Sequence, residues 1–309
     1  MVGRGEHRRG ASRAMMWSDP AVLRGRTHYA RVMEGWVDNT HGDAFTHTVR
    51  LSDDDRAVEV AVVALPSPTY EIRDGRCRAL AGAIAPEVVE GVGRLAGTAM
   101  VGGLTRRVAE ATGAGEGAGL VLDAIVEIAR LARQVAKLPR ERAERAAGGD
   151  AWECWQLDTT GWSDLPNSCF TYSDAGRALF GTRTIATPMR PDLYSPRAGQ
   201  HRVFERSKVA RLERVAGRLR LFHSMHDNVH GFEVTYEIDL ASGRIVRAEH
   251  LTPKLPYTGI CTEPQRKISA MLGETVDGGL RKRIQAHLGG PTGCAQLYDL
   301  TADLLKLLS

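Results

Sequence analysis

Cysteine is scarce and poorly spaced for a framework of cross-links. The 309 residues hold five cysteines, Cys77, Cys154, Cys169, Cys261 and Cys294, and no Cys-x-x-Cys pair. An odd, sparse set excludes the disulfide scaffold of a small secreted domain. Each is expected to be a thiol, either buried or working. Long apolar runs are also missing. None approaches the ~18 residues of a membrane-spanning helix, and residues 1–26 lack the apolar core of a signal peptide. A cytoplasmic protein without a membrane partner is the expectation.

Catalytic signatures are absent as well. There is no Gly-x-Ser-x-Gly elbow and no His-Glu-x-x-His pair. The glycine-rich stretches 113–117 and 289–293 carry no Lys-Ser/Thr of a phosphate-binding loop. Aromatics make up only 6% of the chain and no basic patch is interleaved with them, so nucleic acid is not an expected partner. No motif by itself names a reaction.

What is present is an ordinary globular composition, 43% apolar and 25% charged, with net charge +4. The length allows two domains with cores of their own. The excess of Ala, Gly and Arg reads as a GC-rich bacterial genome. Much of the positive charge sits in residues 1–26, as Arg4, Arg8, Arg9, Arg13, Arg24 and Arg26. That segment reads as a basic disordered tail.

From residue 27 the chain carries β signals. Residues 29–37, 45–51 and 58–65 read as strands, the second alternating at period two. Ser52, Asp53, Asp54 and Asp55 read as a turn, and Pro66 and Pro68 end the third strand. The texture then becomes helical over 86–97, opened by Pro86, and over 98–112. One long helix is expected over 120–147, where Leu120, Ile125, Ile128, Leu131, Val135 and Leu138 form a stripe. In residues 148–210 Trp152, Trp155 and Trp162 lie near Cys154 and Cys169, a cluster read as packing.

The chain repeats itself. Asp38-Asn39-Thr40-His41-Gly42 returns as Asp227-Asn228-Val229-His230-Gly231. Residues 95–133 slide without a gap onto 271–309, with Gly97 on Gly273, Asp123 on Asp299 and Leu131 on Leu307. The expected architecture is α+β: two homologous units, each a small antiparallel sheet followed by helices, packed as a pseudo-twofold pair. The layout is a tail over 1–26, a degenerate first repeat over 27–147, a connecting segment over 148–210 and a second repeat over 211–309.

Only the second repeat carries Cys261 and Cys294; Cys294 falls on Ala118. Both stand where helices are expected to begin, and the positive end of a helix dipole lowers a thiol pKa. With His226 and Asp227, and His223 close by, they make a borderline-soft donor set suited to Zn or Fe. A metal on Cys261, Cys294, His226 and Asp227 is one expectation. A second is Cys294 as a thiolate nucleophile with a nearby histidine as base. Inert core cysteines in a partner-binding protein are a third. The return of the five-residue motif in the copy that lacks Cys261 and Cys294 marks Asp38, Asp227, His41 and His230 as structural.

Several features of the second repeat together resemble domain-of-unknown-function family 2889. They are His226-Asp227, the strand 243–249, Pro256-Tyr257 with Cys261, Leu272-Gly273, and Gly293-Cys294 with Leu297. The resemblance covers 215–309 well and 27–135 weakly, and it implies bacterial proteins without an assigned activity. That family usually has a histidine two residues after the second cysteine, where this chain has Gln296. The layout is also similar to the iron–sulfur cluster scaffold proteins of the NifU type. That resemblance implies ligand positions at Asp227, Cys261 and Cys294, while the first scaffold cysteine has only Met225 or His226 nearby.

Overall fold

The computed structural model describes residues 20–308. The basic segment is therefore placed only in part. Leu23 is buried, and Arg26 donates to Asp55 at 3.1 Å. Arg4, Arg8, Arg9 and Arg13, with the rest of residues 1–19, lie outside the described residues.

The fold is α+β. Among the described residues eight strands form one antiparallel sheet: β1 (His28–Asn39), β2 (Phe45–Asp53), β3 (Ala57–Ala64), β4 (Ile72–Ala81), β5 (Gln200–Val215), β6 (Arg218–Asp227), β7 (Gly231–Asp239) and β8 (Arg244–Lys254). Their order is β4-β3-β2-β1-β5-β6-β7-β8. Each half is a meander, and the two meanders join along β1 and β5. The two small sheets expected from the sequence are thus one continuous sheet. The boundary expected at residue 211 falls inside β5.

Period-two burial explains the strands. Along β2, Phe45, Val49 and Leu51 are buried, whereas Arg50 points to solvent. β4 escaped the sequence reading. It is an edge strand whose Arg73, Arg76 and Arg78 are not buried, and an edge needs no apolar alternation.

The helices are α1 (Pro86–Gly91), α2 (Leu104–Thr112), α3 (Ala118–Ala132), α4 (Arg140–Gly148), α5 (Ala151–Gly161), α6 (Asp174–Ala178), α7 (Pro191–Tyr194), α8 (Thr262–Gln265), α9 (Leu280–Leu288) and α10 (Ala295–Lys306). The single helix expected over 120–147 is two, α3 and α4. Pro139 lacks an N–H and its ring clashes with the preceding turn, so the helical ladder cannot run through it. The link between them is extended, and Ala136 and Leu138 donate their N–H groups to the carbonyls of Leu193 and Tyr194. This pairing fixes α7 beside the end of α3.

α3 packs on β2 and α10 on β6. One apolar cluster lies under β1–β4 (Phe45, Val49, Ile125, Ile128) and a second under β5–β8 (Leu221, Phe232, Leu300, Leu304). Where α3 and α10 meet over the seam, charges replace apolar residues. Lys208 on β5 donates to Glu127 at 2.7 Å and to Asp303 at 3.0 Å. Arg130 contacts Glu127, Asp303 and Asp299, and Lys306 reaches Asp123 at 2.8 Å. Buried charges persist only when paired in this way.

The five-residue motif sits in two unlike turns. Residues 38–42 join β1 to β2, whereas 227–231 join β6 to β7. Counted outward from the seam, the counterpart of the β6–β7 turn is the β2–β3 turn. The motif register is therefore not the strand register. Among the described residues no helix is long and apolar enough to cross a membrane.

Candidate active site

A cavity of about 850 Å³, counting its open mouth, lies where the end of α3, the segment 158–189, the β6–β7 turn and the start of α10 converge. Its walls are largely apolar, with Leu165, Met189, Leu193, Val229 and Phe232 among them. Two polar arrangements contribute to its lining.

The first is built on α5. Asp150 caps the helix by accepting from the Glu153 N–H at 3.0 Å. Ala151, Cys154, Trp155 and Asp158 then form its buried face, so a carboxylic acid takes a place in an apolar stripe. Asp158 is 1% exposed. Its Oδ2 accepts from the Tyr172 hydroxyl at 2.8 Å and from the Tyr257 hydroxyl. The Tyr194 hydroxyl also approaches this carboxyl without completing a hydrogen bond, and Oδ1 has no partner among the described residues. Burial pushes the Asp158 carboxyl up to about 6, against the tyrosine hydroxyls that favour its charged form. The indole Nε1 of Trp162, in the same wall, is a second buried polar atom without a partner among the described residues. Leaving such a group unpaired costs roughly 1–3 kcal/mol.

The second arrangement is the β6–β7 turn. Asp227 Oδ1 accepts from the Val229 and His230 N–H groups at 2.8 and 2.6 Å, which closes the turn. Arg206 on β5 donates Nε and Nη2 to Oδ2 at 2.9 and 2.7 Å. Burial alone would raise the Asp227 carboxyl, but His230 and Arg206 outweigh it and hold it well below the usual range. His230 Nδ1 stands 3.1 Å from both carboxylate oxygens. An ionised carboxylate only accepts, so Nδ1 carries the proton and Nε2 is the basic nitrogen. His230 lines the cavity.

Three thiols complete the lining: Cys169, Cys261 and Cys294. Cys261 Sγ is 3.0 Å from the Thr171 hydroxyl. Cys294 caps α10 with no side-chain bond, and its N–H donates to the Leu288 carbonyl at 2.8 Å. Dipole activation, expected from the sequence, does not prevail. Burial raises all three thiols, Cys169 to about 11. α8, which Cys261 precedes, has only four residues, too short for an appreciable dipole.

The expected metal set is not assembled. The structure unites Cys261 and Cys294, and adds Cys169, which the sequence reading had left aside. His226 projects from β6 to the opposite face of the sheet, half exposed, with Nε2 3.5 Å from Glu233. Neighbouring strand residues point to opposite faces, so His226 and Asp227 cannot serve one ion. Asp227 is committed to Arg206 and to its own turn. His223 is buried elsewhere, its Nδ1 2.9 Å from the Leu300 carbonyl and near Lys208. Among the described residues no group of three or more His, Cys, Asp or Glu side chains is arranged to hold a metal ion.

Sequence reasoning missed Asp158, Tyr172 and Tyr194, and it assigned His230 to structure alone. One signal was readable: Asp158 stands seven residues after Ala151 on the stripe through Cys154 and Trp155.

Residues 210–308 match the family described as Protein of unknown function (DUF2889). The match takes in β6 to α10, and with them His230, Cys261 and Cys294. It leaves out α5 and the rest of the wall that carries Asp158. It does not extend to the first half of the chain, nor to iron–sulfur scaffold proteins. No curated protein and no solved structure matches the chain.

Proposed function

We propose that this cavity binds a small molecule and that His230 and Asp158 move a proton on it as general base and general acid. One observation carries the reading. His230 is oriented by a buried carboxylate, itself held by Arg206, and lines the same apolar cavity as a carboxyl raised to about 6. An imidazole whose tautomer leaves Nε2 free to accept, beside a carboxyl that burial inclines to keep its proton, suits the two groups to opposite roles. The thiols are poor nucleophiles beside them, because burial keeps them protonated.

The test is a panel of small alcohols, phenols and esters followed by NMR. His230→Ala and Asp158→Asn are each expected to slow turnover at least ~100-fold while the unfolding midpoint stays measurable. Turnover untouched in either variant, or absent from the wild type across the panel, counts against the reading. Elemental analysis covers the Zn or Fe expected from the sequence. About one metal per chain, lost in Cys261→Ala, would move the site to the three thiols.

We also infer that the chain is a tandem duplication whose halves meet as a twofold pair. Three features support it. Asp53 closes the β2–β3 turn by accepting from the N–H groups of Asp55 and Arg56, as Asp227 does in the β6–β7 turn. Arg130 of α3 meets Asp299 of α10, and Lys306 of α10 meets Asp123 of α3, a reciprocal pattern proper to twofold interfaces. Lys208 binds Glu127 and Asp303, which the gapless repeat places on one another. In the first half Ala118 stands where the second has Cys294, and Ala85 precedes α1 as Cys261 precedes α8.

A further inference from the structure

Of the three cysteines that line the cavity, two stand on chains that a single backbone hydrogen bond joins. The Phe170 N–H donates to the Gly293 carbonyl at 2.8 Å. Cys169 precedes Phe170 and Cys294 follows Gly293, so both cysteines border that bond. With the bond in place, covalent geometry keeps their Cα atoms within about 8 Å of each other. Both backbones are extended, with φ −151° and ψ 175° at Cys169 and φ −122° and ψ 120° at Cys294. Opposite residues on extended chains lying side by side are about 4.5–5.5 Å apart at Cα, and a disulfide spans roughly 4.4–6.8 Å. Cys169 and Cys294 are half-buried and line one void, so their side chains have room to turn. Cys261 is buried, with its sulfur 3.0 Å from the Thr171 hydroxyl.

We propose that Cys169 and Cys294 are a covalent modification site, a dithiol that a low-molecular-weight disulfide oxidises to an intramolecular bridge. Cys294 Sγ gives up its proton and attacks one sulfur of the reagent. The reagent's S–S bond breaks, and the released thiolate takes a proton and leaves as the first thiol. Cys169 Sγ, deprotonated in turn, attacks Cys294 Sγ and releases the second thiol. Two protein thiols are oxidised, the reagent is reduced to two thiols, and no charge stays in the cavity wall. Cys294 reacts first. Burial raises its thiol, but the Leu297 N–H, the Gln265 amide and the Gln296 N–H favour its thiolate. The bridge ties the connecting segment, which the family match leaves out, to the start of α10, which it includes. It stands on the geometry of the wall and does not depend on the acid–base reading.

The test is to incubate the reduced full chain overnight with excess bis(2-hydroxyethyl) disulfide and map its peptides by mass spectrometry. The expected product is a Cys169–Cys294 linked peptide, lighter by two hydrogens, which dithiothreitol converts back. It should form slowly, in keeping with burial, and in the native protein. The bridged chain should unfold at a higher urea concentration than the reduced one, since a cross-link restricts the unfolded chain. Cys169→Ser should stop at the mixed disulfide on Cys294, and Cys294→Ser should give no bridge at Cys169. The wild-type peptide map decides the question even where neither variant folds. Linkage to Cys261 instead, a mixed disulfide on Cys294 that Cys169 never displaces, or a bridge that appears only in denaturant overturns the proposal. So do thiols that stay unmodified, or a bridge that leaves the urea midpoint unchanged or lower.

Discussion

Asp158→Asn tests the electrostatics of the site without any knowledge of a substrate. The Asp158 carboxyl has an ordinary value of 3.8 and is pushed up to about 6 in the fold, chiefly by burial. About two pKa units correspond to roughly 3 kcal/mol of preference for the protonated form in the folded state. The sign follows from linkage. An acid raised in the folded state binds its proton more tightly there than in the unfolded chain. Its contribution to stability is fully present below about pH 4 and is lost as pH rises through about 6. Between about pH 4.5 and pH 7 roughly 2 kcal/mol of this contribution should disappear. Asn does not titrate, and its oxygen can accept from Tyr172 and Tyr257 as Oδ2 does. The hydrogen-bond part of the substitution is thus nearly constant with pH. Urea unfolding of wild type and variant across this range isolates the term, since every other titrating group cancels in the difference. The wild type should gain roughly 2 kcal/mol on the variant as the solution is acidified, or about 3 °C in Tm for a chain of this length. Two curves that run parallel would mean that the carboxyl is not raised, and the assignment of Asp158 as the acid would fall with it.

Lys208 and the thiols supply two further tests. Lys208→Met removes the cation shared by Glu127 and Asp303, both within 3.0 Å of its Nζ. Urea unfolding should report a loss of about 3 kcal/mol, since removing one partner strands buried charge; an unchanged midpoint would mean that Arg130 suffices for both carboxylates. Cys169, Cys261 and Cys294 should react with a disulfide reagent at about pH 8 at least ~100-fold more slowly in the native protein than in denaturant, because the thiolate is the reactive form and burial suppresses it. A fast Cys294 would restore the nucleophile expected from its place before α10.

Much of the scaffold was legible because local pattern and tertiary role coincide in it. β2 was marked by its period-two alternation, and β1 and β3 by apolar runs that end at turn residues or prolines. α10 shows its stripe because it buries one face. β4 was hidden because an edge strand can be polar on both sides. The helix over 120–147 was over-read because the apolar stripe continues through Val135, buried in the extended link, although Pro139 ends any helix. The gapless repeat runs over α3 and α10, whereas the two copies of the five-residue motif fall in the β1–β2 and β6–β7 turns. Asp38 and Asp227 resemble each other because both lie at strand ends beside β5, where each serves that strand. Asp38 Oδ1 accepts from the Arg202 N–H at 2.8 Å, and Asp227 accepts from the Arg206 side chain.

The sequence by itself determined the α+β class and the strands β1, β2 and β3, since apolar runs and the turn residues that bound them are written along the chain. Only the tertiary structure decided what the site residues do. A thiol at a helix start is activated if solvent and dipole dominate and silenced if burial dominates, and the surrounding segment 158–189 makes burial win. That same segment, distant in sequence from the β6–β7 turn, brings Asp158 to the cavity that His230 lines. Proton affinity depends on what surrounds a group in space, and no spacing along the chain records that.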